Sequence, residues 1–292
     1  MTDGWIDYWC NSFAPEQRTL WNQAISSQEI PLKVRKEGDD SFADAATMLS
    51  RMDELGIRSL ILPSAPIPED AGPSAYERFT TAHEDLVKLS DAHPGRFAGL
   101  ATIDPTCGQP GLGHAAELLT RPAYIGLHIH THSWDRAFDH RDYYPYYALA
   151  ADCDVPVIVQ AGSSGGLMAS ECGKPIGVDR PALYFPKLRF VLSHTGWPWV
   201  DEAIAMAQKH RNVFLGTAAF PPHHWSRSLV DFVRGVGRGK VLLGTSFPVV
   251  GHRHALARLE ELELGDEVRA QLLEGAAHRV FKMWSEKGLG AA

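Results

Sequence analysis

Short apolar or β-branched runs recur along the chain, each followed by a stretch whose apolar positions repeat every three to four residues. The runs are Trp5–Trp9, Arg58–Leu62, Phe97–Ile103, Tyr124–His130, Val155–Gln160, Leu188–Ser193, Asn212–Thr217 and Val241–Thr245. Helical spacing is clearest over Phe42–Leu55, Ala75–His93, Tyr143–Asp152, Pro198–His210, Trp225–Val236 and Arg253–Leu262. Local punctuation agrees. Ser41 with Asp44 resembles an N-terminal capping arrangement, Gly56 sits where a left-handed C-cap belongs, and Pro198 falls where a first helical turn tolerates a missing N–H. Strands alternating with helices predict a parallel sheet, and eight is the number that closes a barrel. The expected fold class is therefore α/β: one (β/α)₈ barrel domain over residues 1–292, with Asp266–Trp284 as extra C-terminal helices.

Three stretches exceed ordinary connection lengths: Asn11–Asp40, Gly162–Asp179 and Ala218–His224. Each follows the C-terminal end of a strand, the face on which barrels assemble active sites. A length of 292 residues suits such a barrel, which typically needs about 250. With 45% hydrophobic and 22% charged residues, the chain has too much core material to be disordered. The net charge of −7 and the lack of a Lys/Arg stripe argue against a nucleic-acid partner. The apolar runs are strand-length, far short of the roughly 20 residues that cross a membrane. Met1–Cys10 shows no basic segment leading into an apolar one, so a cytoplasmic location is expected. Cys10, Cys107, Cys153 and Cys172 have no CxxC spacing and read as free thiols.

Several segments carry a specific resemblance. "FVLSHTGWPWVDEAIAMAQKHRNVFLGTA" at 190–218 resembles the strand-6 and strand-7 signature of the amidohydrolase-2 family of metal-dependent TIM barrels. "KVLLGTSFPVV" with "LGDEVRAQLLEGAAHRVF", "VPVIVQAGSSG" and "GWIDYWCNSF" resemble its strand-8, strand-5 and strand-1 blocks, in the right order. The resemblance implies hydrolysis of C–C, C–N, ester or thioester bonds, or non-oxidative decarboxylation. It also implies a divalent ion held by an HxH pair on strand 1, one His each on strands 5 and 6, and an Asp on strand 8. Carried over by position, those sites hold Trp9, Asn11, Gln160, His194 and Ser246, and only His194 matches. Indole offers a metal no lone pair, and neutral amides and hydroxyls supply no charge. The expectation is an enzyme with no cofactor and no metal in the usual place.

The remaining polar residues then carry the chemistry. His194 is the candidate general acid/base, because imidazole titrates near neutral pH. Asn11 and Gln160 are candidate carbonyl binders, or partners that only satisfy one another. Ser246 is a candidate nucleophile or hydrogen-bond donor to substrate. Asp104 is placed to orient an imidazole, or to serve as a turn residue before Pro105. Trp9 fills the volume of the absent ion or stacks on an aromatic substrate. Cys10, between two inward positions, faces the helices. On strand 4, His128 and His130 share a face about 6.6 Å apart, as substrate-pocket residues or, with His194, as a relocated His₃ ion site.

His223, His224, His252, Arg253 and His254 lie in the loops where barrels bind phosphate, and Arg136, His140 and Arg141 follow strand 4. The expected activity is metal-independent hydrolysis of a small aromatic or acidic carbonyl compound. Decarboxylation, a relocated metal site and a catalytically silent binding subunit are the alternatives. A small-molecule carbonyl substrate is the expected partner, and a homo-oligomer is left open.

Overall fold

A computed structural model of the chain describes residues 4–27, 41–65 and 76–282. All eight apolar runs become strands: β1(Trp5–Asp7), β2(Ile57–Ser64), β3(Phe97–Thr102), β4(Tyr124–Ile129), β5(Val157–Gln160), β6(Phe190–Ser193), β7(Val213–Gly216) and β8(Val241–Leu242). They pair in chain order as one sheet, β1 with β2 through to β7 with β8, and each of these pairs is parallel. The ring is tied shut past the end of β8. There, Ser246 N donates to the Trp9 carbonyl at 2.8 Å and Asn11 N donates to the Phe247 carbonyl at 2.9 Å. The fold is the expected TIM barrel.

Twelve α-helical segments accompany the strands among the described residues. They are α1(Gln17–Ser26), α2(Ala45–Leu55), α3(His83–Ala92), α4(Gly108–Leu119), α5(Thr131–Trp134), α6(Tyr144–Asp152), α7(Asp179–Tyr184), α8(Val200–Lys209), α9(Arg227–Arg234), α10(His252–Glu260), α11(Asp266–Ala270) and α12(Ala276–Val280).

Two-residue periodicity sorts each strand between two cores. Val157, Val159, Phe190 and Leu192 join the layer between sheet and helices, while Ile158, Val191, Phe214 and Leu242 fill the barrel interior. Ala276, Ala277, Val280 and Phe281 join the interior cluster, so the C-terminal segment plugs the barrel. Tyr8 lies across this interior, fully buried, against β7 and the residues after β8. Gly216 and Gly244 make room for it: a Cβ at either would come within 2.1 or 2.4 Å of the Tyr8 ring or hydroxyl.

Several local expectations shift. Asp44, not Ser41, caps α2 by accepting from Thr47 N at 2.9 Å, and Gly56 ends the helix at φ +66° as expected. Pro198 precedes α8 and follows a cis bond instead of opening the helix. The 75–93 stretch splits into a 3₁₀ turn, Tyr76–Phe79, and α3, and position 75 itself lies outside the described residues. Helix α4 escapes the periodicity reading because Gly108, Pro110, Gly111 and Gly113 crowd its first half. The long Asn11–Asp40 stretch contains α1, with 28–40 outside the described residues. Asp266–Trp284 forms α11, a π turn and α12, with 283–284 outside them. The four cysteines are free thiols. No helix among the described residues is long and apolar enough to cross a membrane.

Candidate active site

A cavity of about 490 Å³ opens at the C-terminal ends of the strands. Trp9, Asn11, Gln160, His194 and Ser246 all line it, so the chain brings together the five positions that the family resemblance singles out. His130 joins them from the end of β4, and Ser163, Ser164 and Met168 from the loop after β5. Two aromatic pairs complete the wall. Trp21 and Phe79 meet at 4.7 Å between ring centroids, and Trp197 and Phe220 at 6.2 Å. Among the described residues that line the cavity there is no Asp, Glu, Lys or Arg.

The backbone is bent to present these groups. His194, Ser246 and Ala219, following β6, β8 and β7, adopt φ of +61°, +53° and +65°. This left-handed region is uncommon outside glycine and clusters at functional sites. Asn11 Nδ2 donates to the Ser246 carbonyl at 3.0 Å, which ties the strand-1 position to the strand-8 position. The Asn11 and Gln160 side chains are therefore not occupied with each other.

His194 is wired from below. Ala218 N donates to the Tyr8 hydroxyl oxygen at 3.4 Å, Tyr8 and Ser193 hydroxyls lie 2.8 Å apart, and Ser193 Oγ is 2.9 Å from His194 Nδ1. The Tyr8 oxygen accepts from a backbone amide, and Ser193 is its hydroxyl partner. The consistent direction is Tyr8 O–H to Ser193, then Ser193 O–H to Nδ1. That assignment puts the imidazole proton on Nε2, leaving Nε2–H as the donor open to a ligand. Burial, with nearby His132 adding to it, pushes the His194 pKa down to about 3. His194 is accordingly neutral at ordinary pH, which corrects the expectation of an imidazole titrating near 7. Burial likewise holds His130 and His128 well below the usual imidazole range.

Two expected site residues stand apart. His128 is completely buried beneath Trp9, their ring centroids 4.6 Å apart, and its Nδ1 lies 3.0 Å from Thr102 Oγ1. It belongs to the support of the floor and not to the substrate wall, because the indole covers it. Asp104 does not orient an imidazole. Its carboxylate accepts from Thr106 N at 2.7 Å, Thr106 Oγ1 at 2.6 Å and Cys107 Sγ at 3.2 Å, capping the turn that opens with Pro105. Cys10 is buried in the helix-facing core, where burial raises its thiol pKa well above the usual value.

The outer basic cluster also divides. His252 is fully buried with its Nε2 3.2 Å from Asp7 Oδ2, Arg253 pairs with Glu54, and His224 lines the cavity. Arg136 pairs with Asp142, which also lies within 4 Å of His140 and Arg141. Sequence reasoning missed Tyr8 and Ser193, whose only signal was their place one residue before Trp9 and His194. It also missed Trp21, Phe79, Trp197 and Phe220.

The donor set does not fit the family's ion. Trp9 Nε1–H cannot ligate, and its ring lies edge-on to His194 at 5.4 Å as well as to His128. Nδ1 of His194 is engaged by Ser193. The relocated site fares no better. Two imidazoles on one tetrahedral ion place their centroids about 5 Å apart, whereas His128 and His130 stand 6.3 Å apart with Trp9 between His128 and His194. No group of three or more His, Cys, Asp or Glu among the described residues is arranged to hold a metal.

The fold is a (β/α)₈ barrel whose cavity lies at the C-terminal ends of the strands, the face on which such barrels carry active sites. Residues 69–283 match the profile of the amidohydrolase family, and the chain belongs to that family. No curated protein matches the chain. An uncharacterised TIM-barrel protein from Bordetella bronchiseptica is similar at TM-score 0.78 and 20% identity, covering 97% of this chain and 99% of that one. 2,6-Dihydroxybenzoate decarboxylase from Rhizobium is similar at TM-score 0.65 and 16% identity, covering 96% and 99%. 5-Carboxyvanillate decarboxylase from Sphingomonas paucimobilis is similar at TM-score 0.64 and 17% identity, covering 96% and 99%. The family's members are hydrolases and decarboxylases.

Proposed function

We propose that the protein hydrolyses an uncharged aromatic carbonyl compound, such as an activated ester or lactone, without a bound metal. The observation that carries this reading is the cavity wall: aromatic rings above, neutral hydrogen-bonding groups at the floor, and no formally charged side chain among the described lining residues. A carboxylate substrate moved from water into such a wall would lose its hydration and meet no cation, at a cost of several kcal/mol. An uncharged ester loses little and gains ring burial. The wall therefore favours the aromatic half of the expected substrate class over the acidic half.

In this reading the acyl carbonyl lies against His194, Gln160 and Ser246. A neutral imidazole that keeps its Nε2 proton is a poor base but a sound donor to a developing oxyanion. Gln160 Nε2 and the Ser246 hydroxyl add donors, and Asn11 holds Ser246 in place through its carbonyl. His130, whose Nδ1 is 2.6 Å from Ser133 Oγ, orients the attacking water. As the water oxygen bonds to the acyl carbon the ester C–O bond breaks, and the water's proton leaves on the departing oxygen. No strong base and no Lewis acid is assigned, so the scheme requires a good leaving group or ring strain in the substrate.

The test is a panel of phenyl esters and aryl lactones beside the matching benzoates, assayed with wild type and His194→Ala in the presence of a chelator. Hydrolysis of the uncharged compounds, lost in the variant, is the expected result. Carbon dioxide release from a benzoate would replace this reading with the decarboxylase one, and activity abolished by the chelator would restore a metal.

A further inference from the structure

Of the hydrogen-bonding groups on the cavity floor, one has an end that an ester cannot satisfy. Gln160 and Ser246 can each give or accept a hydrogen bond and His194 gives one, so a carbonyl oxygen suits all three. Asn11 differs because its amide is already oriented. Its backbone N–H donates to the Phe247 carbonyl at 2.9 Å and its Nδ2 to the Ser246 carbonyl at 3.0 Å. A carbonyl only accepts, so the N–H end of the amide must face Ser246 and the oxygen end must turn away from it. Asn11 is 6% exposed and lines the cavity, and the described residues neither donate to its Oδ1 nor close that oxygen to water. An acceptor is thus left free beside Ser246, whose hydroxyl is assigned to the acyl carbonyl. We propose that Asn11 is a specificity residue whose Oδ1 accepts from an O–H or N–H carried on the substrate next to the scissile carbonyl.

The inference rests on the hydrolase reading above for the place of the carbonyl. It narrows the substrate class from aromatic esters and lactones to those with a donor beside the acyl group, such as α-hydroxy esters. Water can serve Oδ1 while the cavity holds no ligand. An aromatic ligand in a cavity of about 490 Å³ displaces that water, and a buried acceptor then left without a donor has lost its hydration for nothing. A ligand that supplies the donor avoids the loss, and an analogue that lacks it does not. The competing explanation is that Oδ1 keeps a water throughout and reads nothing on the substrate.

The experiment uses ketones that cannot be hydrolysed: phenylacetone, its hydroxy derivatives at either carbon beside the carbonyl, and the methyl ethers of those two alcohols. Each ether keeps the oxygen and removes the proton. Binding is measured calorimetrically with wild type and Asn11→Ala. At least one alcohol is expected to bind wild type about tenfold tighter than both its own ether and phenylacetone, and that advantage is expected to shrink to about twofold or less in Asn11→Ala. The ratio is the readout because Asn11→Ala also releases the Ser246 carbonyl, which shifts all the ketones together. Where the variant fails to fold, a crystal structure of wild type with the tighter alcohol decides. Its hydroxyl is expected within hydrogen-bond distance of Asn11 Oδ1, and a hydroxyl bonded elsewhere overturns the proposal. Equal binding of alcohols and ethers, an advantage that survives Asn11→Ala, or no binding by any of the ketones also overturns it. Preference for an alcohol without ester hydrolysis would leave the subsite standing and remove the hydrolase reading, and ester hydrolysis without that preference would do the reverse.

Discussion

Two arcs of the barrel mouth handle buried polar groups in opposite ways. Where β1 meets the turn after β8, the fold keeps a carboxylate. Asp7 is fully buried, and its oxygens accept from Trp9 N at 3.1 Å, Thr245 N at 3.0 Å, the Thr245 hydroxyl and His252 Nε2. Every contact holds a segment that carries a cavity residue, Trp9 directly and Ser246 through its neighbour. From β4 to β6 the buried ionisable groups at the site are imidazoles: His128, His130, His132 and His194 lie close enough to act on one another, and burial lowers the pKa of each, with Asp135 opposing that shift at His132. Charge serves as a clamp on one arc and is excluded on the other. A buried charge is tolerated where donors surround it, and imidazoles are tolerated in bulk because each can give up its charge.

The difference is testable by deletion. Asp7→Leu strips four donors of their acceptor at once and is expected to cost about 3–5 kcal/mol of stability. His128→Leu removes one neutral ring and its Thr102 contact, and is expected to cost about 1 kcal/mol. Urea denaturation midpoints of the two variants measure the contrast, and equal losses would erase it. Next in size is His194→Ala. If its Nε2–H is an oxyanion donor, kcat is expected to fall about 10²–10³-fold while stability moves by about 1 kcal/mol or less. A melt alongside the ester assay separates the two.

Acid should expose the imidazole arc. In the unfolded chain a histidine takes up its proton near 6.5, whereas folded His194 refuses it until about 3 and His83, the first residue of α3, until about 4. Between those values the unfolded state binds more protons, so stability is constant above pH 6.5 and falls as pH drops below it. Each such imidazole contributes a slope of about 1.4 kcal/mol per pH unit. Proton uptake on unfolding at pH 5, read by comparing calorimetric enthalpies in two buffers, checks the count. Uptake of less than about one proton per molecule would mean that the arc is already charged when folded.

How much of this was legible in the chain follows the same divide. The cavity placement of Trp9, Asn11, Gln160 and Ser246 follows from the family resemblance carried over by position, and the eight strands and their order from short apolar runs and their two-residue alternation, which does not depend on what lies across the barrel. Cys10 was placed outward by the same rule, and its burial among helix-facing residues agrees. What alternation does not carry is depth. His128 and His130 share a strand face, but Trp9 roofs one and leaves the other at the cavity. Asp104 sits at the right strand end, yet its carboxylate is taken by the next two residues with donors to spare, a local competition that strand parity ignores. The aromatic wall was illegible because Trp21 and Phe79 come from different loops and meet only in three dimensions. Helix α4 was hidden by its glycines. At least one of them is required by packing, since a Cβ at Gly111 would stand 2.7 Å from the Tyr146 hydroxyl.

The smallest expected effect is the most diagnostic for the neutral arc. Tyr8 is the only phenol in the relay beneath His194, and burial pushes its pKa far above the usual range, so it acts as a hydroxyl throughout. Tyr8→Phe keeps the ring that fills the space above Gly216 and Gly244, and removes only the oxygen that receives Ala218 N and donates to Ser193. Ser193 then loses its donor and is free to accept from Nδ1–H, which moves the His194 proton off Nε2. In the donor role such a tautomer turns a lone pair toward the oxyanion. Stability should fall by about 1 kcal/mol, the ordinary worth of one buried hydrogen bond. The expected kinetic result is a kcat loss of about tenfold with KM unchanged, because ground-state binding by the aromatic wall does not involve the relay. A Tyr8→Phe enzyme with wild-type kcat would show that the tautomer is set elsewhere, and one with raised kcat would mean that His194 acts through its lone pair, as a base.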